Sequence, residues 1–369
     1  MALPPETNVV ELVDGLIHRA LGARATDVHF EPTDAGFRVR MRVDALLEDI
    51  AQIPAPLAPN VVARLKVLAG LLTYRTDTPQ EGAIPSHPDG YASDIRVATF
   101  PTIRGERVVL RLLADAARLL RLPELGFEPP LVERLRALVA PGGGLVVVCG
   151  PAGSGKTTTL HALLLEILAA RPHASVFAVE DPVEIRIDGV TQVQIEPARG
   201  LTYPVALRSL LRQDPQVLMI GEVRDAEVAQ VVVEAALTGH LVLTTLHSGA
   251  PADALIRLCE MRIPPYQLTS ALRGVLAQRL LRRRCGACRE AAARAGCRDC
   301  RGTGYSGQVA IGSLCERSPA LRAAILANAD ADGLAAAGAA DRLHASAVRL
   351  VQEARTDEAE VMRVLGAET

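Results

Sequence analysis

Apolar residues recur every three to four positions over residues 7–22 (Val10, Leu12, Val13, Leu16, Ile17, Ala20), and this spacing predicts a helix. The period then drops to two. Residues 27–31 and 37–43 alternate apolar with polar and read as paired strands around the turn Thr33-Asp-Ala-Gly36. Residues 57–72 return to helical spacing. Residues 93–100 and 106–113 read as two more strands, joined by Pro101-Thr-Ile-Arg-Gly105. Together these predict a small α+β domain over residues 1–115.

Three prolines and a glycine fall within 119–130, which predicts a linker over 116–130. Beyond it the pattern changes. Nearly continuous apolar runs at 145–149, 175–180, 216–220 and 240–245 alternate with helical stretches. That alternation predicts an α/β domain over 131–369, a parallel sheet covered on both faces. Ligands of such sheets sit at the carboxyl ends of the strands. After residue 281 come a cysteine cluster, a short strand and Ala- and Leu-rich helices.

The first apolar run leads directly into Gly150-Pro151-Ala152-Gly153-Ser154-Gly155-Lys156-Thr157, followed by Thr158. Strand, Gly-rich loop and helix in this order form a phosphate loop for ATP or GTP. The glycines let backbone N–H groups turn toward phosphate oxygens, and the helix adds its positive end. Lys156 is expected to reach the β- and γ-phosphates, and Thr157 to place its hydroxyl on Mg²⁺. Val217-Leu-Met-Ile-Gly-Glu222 is an apolar strand ending in an acid, so Glu222 is a second candidate for the Mg²⁺ shell. Glu180-Asp-Pro-Val-Glu184 gathers three carboxylates that repel unless cations stand nearby. His240 and His247 flank another apolar run and are expected to do different jobs, one facing the γ-phosphate and one structural.

Composition narrows the rest. The chain has 369 residues, is 49% hydrophobic and carries a net charge of −2, so no global basic field attracts nucleic acid. No run of about 18 apolar residues appears and the start lacks a signal-peptide pattern, so a cytoplasmic protein is expected. Four of seven cysteines form Cys285-x₂-Cys288-x₈-Cys297-x₂-Cys300, a spacing that suits tetrahedral Zn²⁺ in a knob over 285–304. Cys149, Cys259 and Cys315 are isolated and read as small core residues.

Several of these segments together resemble the secretion ATPase superfamily, which powers type II secretion and type IV pili. They are the acidic box at 180–184, Gly221-Glu222-Val-Arg-Asp225, and Leu237-Thr-Gly-His-Leu-Val-Leu-Thr-Thr-Leu-His247. Ala25-Thr-Asp-Val-His-Phe-Glu-Pro32, Arg38-Val-Arg-Met-Arg-Val-Asp44, Gly105-Glu-Arg-Val-Val-Leu-Arg-Leu-Leu113 and Thr356-Asp-Glu-Ala-Glu-Val-Met-Arg-Val364 agree. The resemblance implies a RecA-like ATPase domain behind a PAS-like small domain. It also implies a homo-hexamer acting at the inner membrane through platform proteins. By the same resemblance Glu184 activates water, Glu222 is the Walker B acid, and His240 and His247 form a histidine box. Arg96, Arg107 and Arg111 are candidate charge sensors. Leu237 stands where retraction motors carry Glu, which points to an assembly or secretion motor. Full-length members carry an additional N-terminal domain, whereas some twenty residues precede the Ala25 segment here. The usual Arg-x-Asp-Gly turn reads Arg42-Val-Asp44-Ala45, so it must avoid positive φ or carry strain. A nucleic-acid-translocating motor and a non-catalytic nucleotide-gated scaffold are the alternative functions.

Overall fold

A computed structural model describes residues 8–86, 91, 94–112, 119–288, 297–338 and 343–366. The chain divides into two compact units, Met1–Arg118 and Leu119–Thr369.

In the first unit, α1 (Val9–Gly22) begins at Asn8, whose side chain accepts from the Val10 N–H at 3.0 Å. It precedes β1 (Asp27–Thr33), β2 (Gly36–Val43), β3 (Leu46–Pro54), α2 (Ala58–Leu68), β4 (Gln80–Ile84), β5 (Ile95–Thr102) and β6 (Gly105–Leu112). The strands form one antiparallel sheet in the order β3-β2-β1-β6-β5-β4. Val28, Phe30, Val39, Met41, Val108 and Leu110 point to one face, where Val13 and Ile17 of α1 share their core. The opposite face carries the alternating charged residues. β3 escaped the sequence reading because its burial does not alternate cleanly, and β4 because its inner positions before Ile84 are Gln80 and Gly82, which give no apolar signal.

The turn between β2 and β3 settles the question raised by Ala45. Val43 pairs with Leu46, and the two residues between them have φ of 46° (Asp44) and 69° (Ala45). Tight two-residue hairpins need positive φ at both central positions to match strand twist. The chain therefore keeps the turn and accepts a left-handed alanine.

The second unit contains α3 (Pro129–Leu138), β7 (Gly144–Cys149), α4 (Lys156–Ala170), β8 (Val176–Glu180), β9 (Thr191–Gln194), α5 (Tyr203–Leu210) and β10 (Val217–Ile220). Then come α6 (Ala226–Leu237), β11 (Leu241–Leu246), α7 (Pro251–Glu260), α8 (Pro265–Ala271), β12 (Leu272–Arg284) and β13 (Tyr305–Glu316). Four helices close the chain, α9 (Pro319–Leu326), α10 (Ala331–Gly338), α11 (Leu343–Gln352) and α12 (Glu358–Leu365). The sheet order is β13-β12-β7-β11-β10-β8-β9, and only the β12–β13 pair is antiparallel. Every residue of β7, β10 and β11 is buried, as a sheet covered on both faces requires.

One expectation needs correction. Within the predicted linker, Leu122, Leu125 and Phe127 are buried in the same core as Val146, Val148 and Leu160. That stretch packs as part of the second unit, because its apolar side chains outweigh the turn signal of its prolines.

β12 outruns its neighbour. Its pairing with β7 ends at Ala277–Cys149, whereas its pairing with β13 continues to Arg284–Tyr305. This two-stranded ribbon is pinned by Glu360 of α12, a fully buried carboxylate that accepts from Arg282 at 2.7 Å and Arg363 at 2.6 Å. Burial alone would raise the Glu360 pKa, but bonds from Arg363 and Arg282 outweigh it and hold the carboxyl at about 2.

Two outcomes follow. Ala45→Gly is expected to raise the unfolding free energy by up to about 1 kcal/mol in denaturant titration, since it relieves the left-handed alanine. Glu360→Ala is expected to cost about 3 kcal/mol at pH 7. The Glu360 pKa is depressed on folding, from an ordinary 4.5 to about 2. Its contribution is therefore full above the unfolded value and fades as pH falls from about 5 toward 2. Urea titrations of both proteins across that range should converge on acidification.

Candidate active site

The phosphate loop joins β7 to α4. Gly153 and Gly155 adopt φ of 73° and 83°, conformations a side chain would strain. Lys156 turns back over the loop and donates to the carbonyls of Gly150 at 2.9 Å and Pro151 at 2.8 Å. Burial pulls its ammonium pKa down, and the nearby Glu222 pushes back. Ser154 Oγ is buried with no partner among the described residues. A cradle that holds its own cation on carbonyls and leaves a buried hydroxyl unpaired fits a phosphate group. Thr157 stands in the first turn of α4, where a hydroxyl can reach a cation bound to that group.

The carboxyl ends of β8, β10 and β11 bring the acids and one histidine to the same edge. Thr244 Oγ1 donates to the Ile220 carbonyl at 3.0 Å and Thr245 Oγ1 to the Gly221 carbonyl at 2.7 Å. These bonds fix the turn that carries Glu222. Glu222 is paired with Arg224, and its other oxygen lies 3.3 Å from His247 Nε2. Arg224 also reaches Asp181 at 3.1 Å, so one guanidinium bridges the acids at the ends of β10 and β8. Asp225 caps α6, accepting from the Val228 N–H at 2.9 Å.

The three carboxylates of the acidic box separate. Glu180 is buried, with His161 Nε2 of α4 at 3.2 Å and Gln192 Nε2 donating at 2.9 Å. Asp181 takes Arg224. Glu184 is exposed in the loop beyond and pairs with no described residue. Gln192 also donates to the Ile185 carbonyl at 2.8 Å and accepts from the Ile187 N–H at 2.8 Å, while Gln194 accepts from the Val183 N–H at 3.2 Å. The two glutamines of β9 thus shape the loop that presents Glu184.

His240 does not join this cluster. It precedes β11 and its carbonyl bonds Gly144, the first residue of β7. Seven residues of extended chain place it about 23 Å from His247, at the far end of the sheet. Its Nδ1 lies 2.9 Å from the Ala235 carbonyl and 3.1 Å from Thr238 Oγ1, closing the end of α6. Within this chain its Nδ1 is occupied by the end of α6.

Arg96, Arg107 and Arg111 share the charged face of the first unit, with Arg96 opposite Arg111. Arg107 lies 3.1 Å from Glu31 and 3.2 Å from His29 Nδ1. Arg111 reaches Asp27 at 3.4 Å. Arg96 is exposed and pairs with no described carboxylate.

The four cysteine sulfurs of 285, 288, 297 and 300 lie within 4.8 Å of one another. Cys285 and Cys297 are 3.9 Å apart, and Cys288 and Cys300 3.5 Å apart. A tetrahedron with metal–sulfur bonds of about 2.3 Å has edges of about 3.8 Å, so the donor set fits Zn²⁺. Four protein ligands leave no open position, which makes such a site structural.

Comparison with known proteins agrees with this geometry. The sequence family described as "Type II/IV secretion system protein" matches residues 5–363. The chain belongs to this family. It is 44% identical over 310 residues to the type II secretion system protein HxcR of Pseudomonas aeruginosa, covering 83% of this chain and 66% of that protein. It is 37% identical over 349 residues to the type IV pilus assembly ATPase PilB of Thermus thermophilus, covering 88% of this chain and 39% of the relative. Against these two secretion-family relatives it thus spans between two-fifths and about two-thirds of their length. In fold it is similar to the Legionella pneumophila ATPase DotB, with a TM-score of 0.72 at 20% identity over 97% of this chain and 96% of that one. Among the described residues no helix is long and apolar enough to cross a membrane.

In this member of the family, sequence reasoning missed the residues that hold the site together: Gln192, Gln194, His161, Arg224, Gln278 and Arg279. Arg224 sat in a quoted motif without a role. Arg279 donates to the Gly249 carbonyl at 2.9 Å and Arg257 to the His247 carbonyl at 2.8 Å, fixing the loop after β11. The thiol geometry predicts stoichiometric zinc in the purified chain by elemental analysis, lost in the Cys288→Ser/Cys300→Ser variant. A chain that purifies without zinc and takes up none on titration would refute the assignment.

Proposed function

We propose that this chain hydrolyses ATP at the 150–157 loop and, as a cytoplasmic homo-hexamer, couples the reaction to assembly of pseudopilus or pilus subunits at the inner membrane. The observation that carries the reading is the convergence of Lys156, Glu222, His247 and the Glu184 loop on one sheet edge, in a chain related to HxcR and PilB. Lys156 would leave the Gly150 and Pro151 carbonyls for the β- and γ-phosphates, with Thr158 behind it in the first turn. Bound Mg²⁺ would supply charge neutralisation at the phosphates, with Thr157 and Glu222 as the residues that hold it. Glu184, exposed and with no partner among the described residues, would orient and deprotonate the attacking water. His247, already beside Glu222, would face the γ-phosphate. Arg96, which has no carboxylate partner among the described residues, would stabilise charge on a neighbouring subunit's nucleotide, with Arg107 and Arg111, paired to Glu31 and Asp27, as the other sensor candidates. The zinc centre would be structural. Leu237 favours an assembly motor over a retraction motor.

The test is steady-state hydrolysis of MgATP by the purified chain. Glu184→Gln should lower kcat by about 10² or more while nucleotide affinity stays within about threefold. Lys156→Ala should lose binding itself. Unchanged turnover in Glu184→Gln would remove that residue from the chemistry. In the source strain, loss of exported proteins on deletion of the chromosomal copy would assign the motor to secretion, and loss of surface pili to pilus assembly. An intact phenotype with chromosomal Glu184→Gln would support the scaffold instead.

A further inference from the structure

β12 approaches the phosphate loop from the side, with Leu280 packed near Gly155 and Gln278 making the hydrogen bond to the loop. Gln278 is 1% exposed. Its Nε2 donates to the Ser154 carbonyl inside the loop at 2.8 Å, and its Oε1 accepts from Thr159 Oγ1 of α4 at 2.7 Å. The fit is close on the backbone side too. A Cβ added to Gly150 would stand 2.6 Å from the Gln278 carbonyl, and one added to Gly155 would stand 2.8 Å from its Nε2. Gly150 is therefore required by the β12 backbone, and Gly155 by its own φ, with the Gln278 amide close beside it. Gln278 is also the first residue of β12 beyond its pairing with β7. From there β13 is its only strand partner, with Glu360, Thr356 and Arg355 bonding its backbone at Arg282 and Arg284, and it runs on into Cys285.

We propose that Gln278 is a positioning residue that ties the shape of the phosphate loop to the β12–β13 ribbon, so that filling the loop stiffens the ribbon beneath the cysteine cluster. The inference rests on the ATP-site reading. Its physical basis is directional: a buried amide with a carbonyl on one side and a hydroxyl on the other transmits a shift of either to its own strand. Leucine fills the same volume but leaves the Ser154 carbonyl and the Thr159 hydroxyl buried and unpaired. Coupling of this kind is reciprocal, so a change that uncouples the ribbon also weakens nucleotide binding.

The full-length chain, wild type and variants, would be titrated with a non-hydrolysable ATP analogue and Mg²⁺, and amide hydrogen exchange followed over residues 280–284 and 305–309 with and without it. Circular dichroism would confirm folding. Gln278→Leu should weaken affinity about tenfold and abolish the nucleotide-dependent protection of the ribbon. Thr159→Val, a smaller change, should move both readouts in the same direction, and Thr159→Ser, which keeps the hydroxyl, should restore them. Wild-type binding with Gln278→Leu and Thr159→Val within twofold, or with ribbon protection unchanged in both, overturns this inference alone. A wild-type chain that binds no nucleotide overturns it together with the proposed function.

Discussion

Parallel pairing of β7, β8, β10 and β11 is the constraint on which everything else in the second unit depends. Parallel strands finish on one edge, so a loop after each of them delivers its residues to the same place. The apolar runs that make these strands insoluble alone are what bury them between two helical layers. The proposed chemistry then falls to the residues at the end of each run: the loop at 150–157, the acids at 180–184, Glu222 and His247. The same geometry explains why His240 is excluded, since it enters the strand that His247 leaves.

Without a ligand, that edge satisfies its own charges. Lys156 rests on loop carbonyls, Glu222 on Arg224 and His247, Asp181 on Arg224, and Glu180 on His161 and Gln192. Each is a bond that a phosphate or a cation can exchange rather than create. Under the proposed function, binding there is a contest between internal partners and the nucleotide, which Glu184 enters with no partner among the described residues. Lys156 and Glu180, the buried members, would cost several kcal/mol if left without partners, whereas the exposed Arg224 and His247 contacts are screened by water and contribute far less.

The sequence made the strands, the phosphate loop and the cysteine spacing legible because each has a local signature: an apolar run, glycines at fixed offsets, two Cys-x₂-Cys pairs. The bracing of the site was not legible. Gln192, Gln194 and Gln278 act through bonds to backbone atoms 5 to 124 residues away, and no local pattern announces a glutamine's partner. β9 and the whole of β12 were missed for a related reason, since neither strand's burial alternates cleanly. The Pro-rich stretch before α3 misled in the opposite direction, its turn signals hiding three core side chains. Ala45 shows a third case, in which a hairpin's geometry overrides the preference of the residue that occupies it.

A crystal structure of the chain with Mg²⁺ and a non-hydrolysable ATP analogue would test whether these residues form one nucleotide site. The prediction is that Lys156 Nζ leaves the Gly150 and Pro151 carbonyls for the phosphates, with the metal between Thr157 and Glu222 and the Arg224 contact to Glu222 loosened. A nucleotide bound elsewhere, or a loop still closed on Lys156 at saturating ligand, would contradict it.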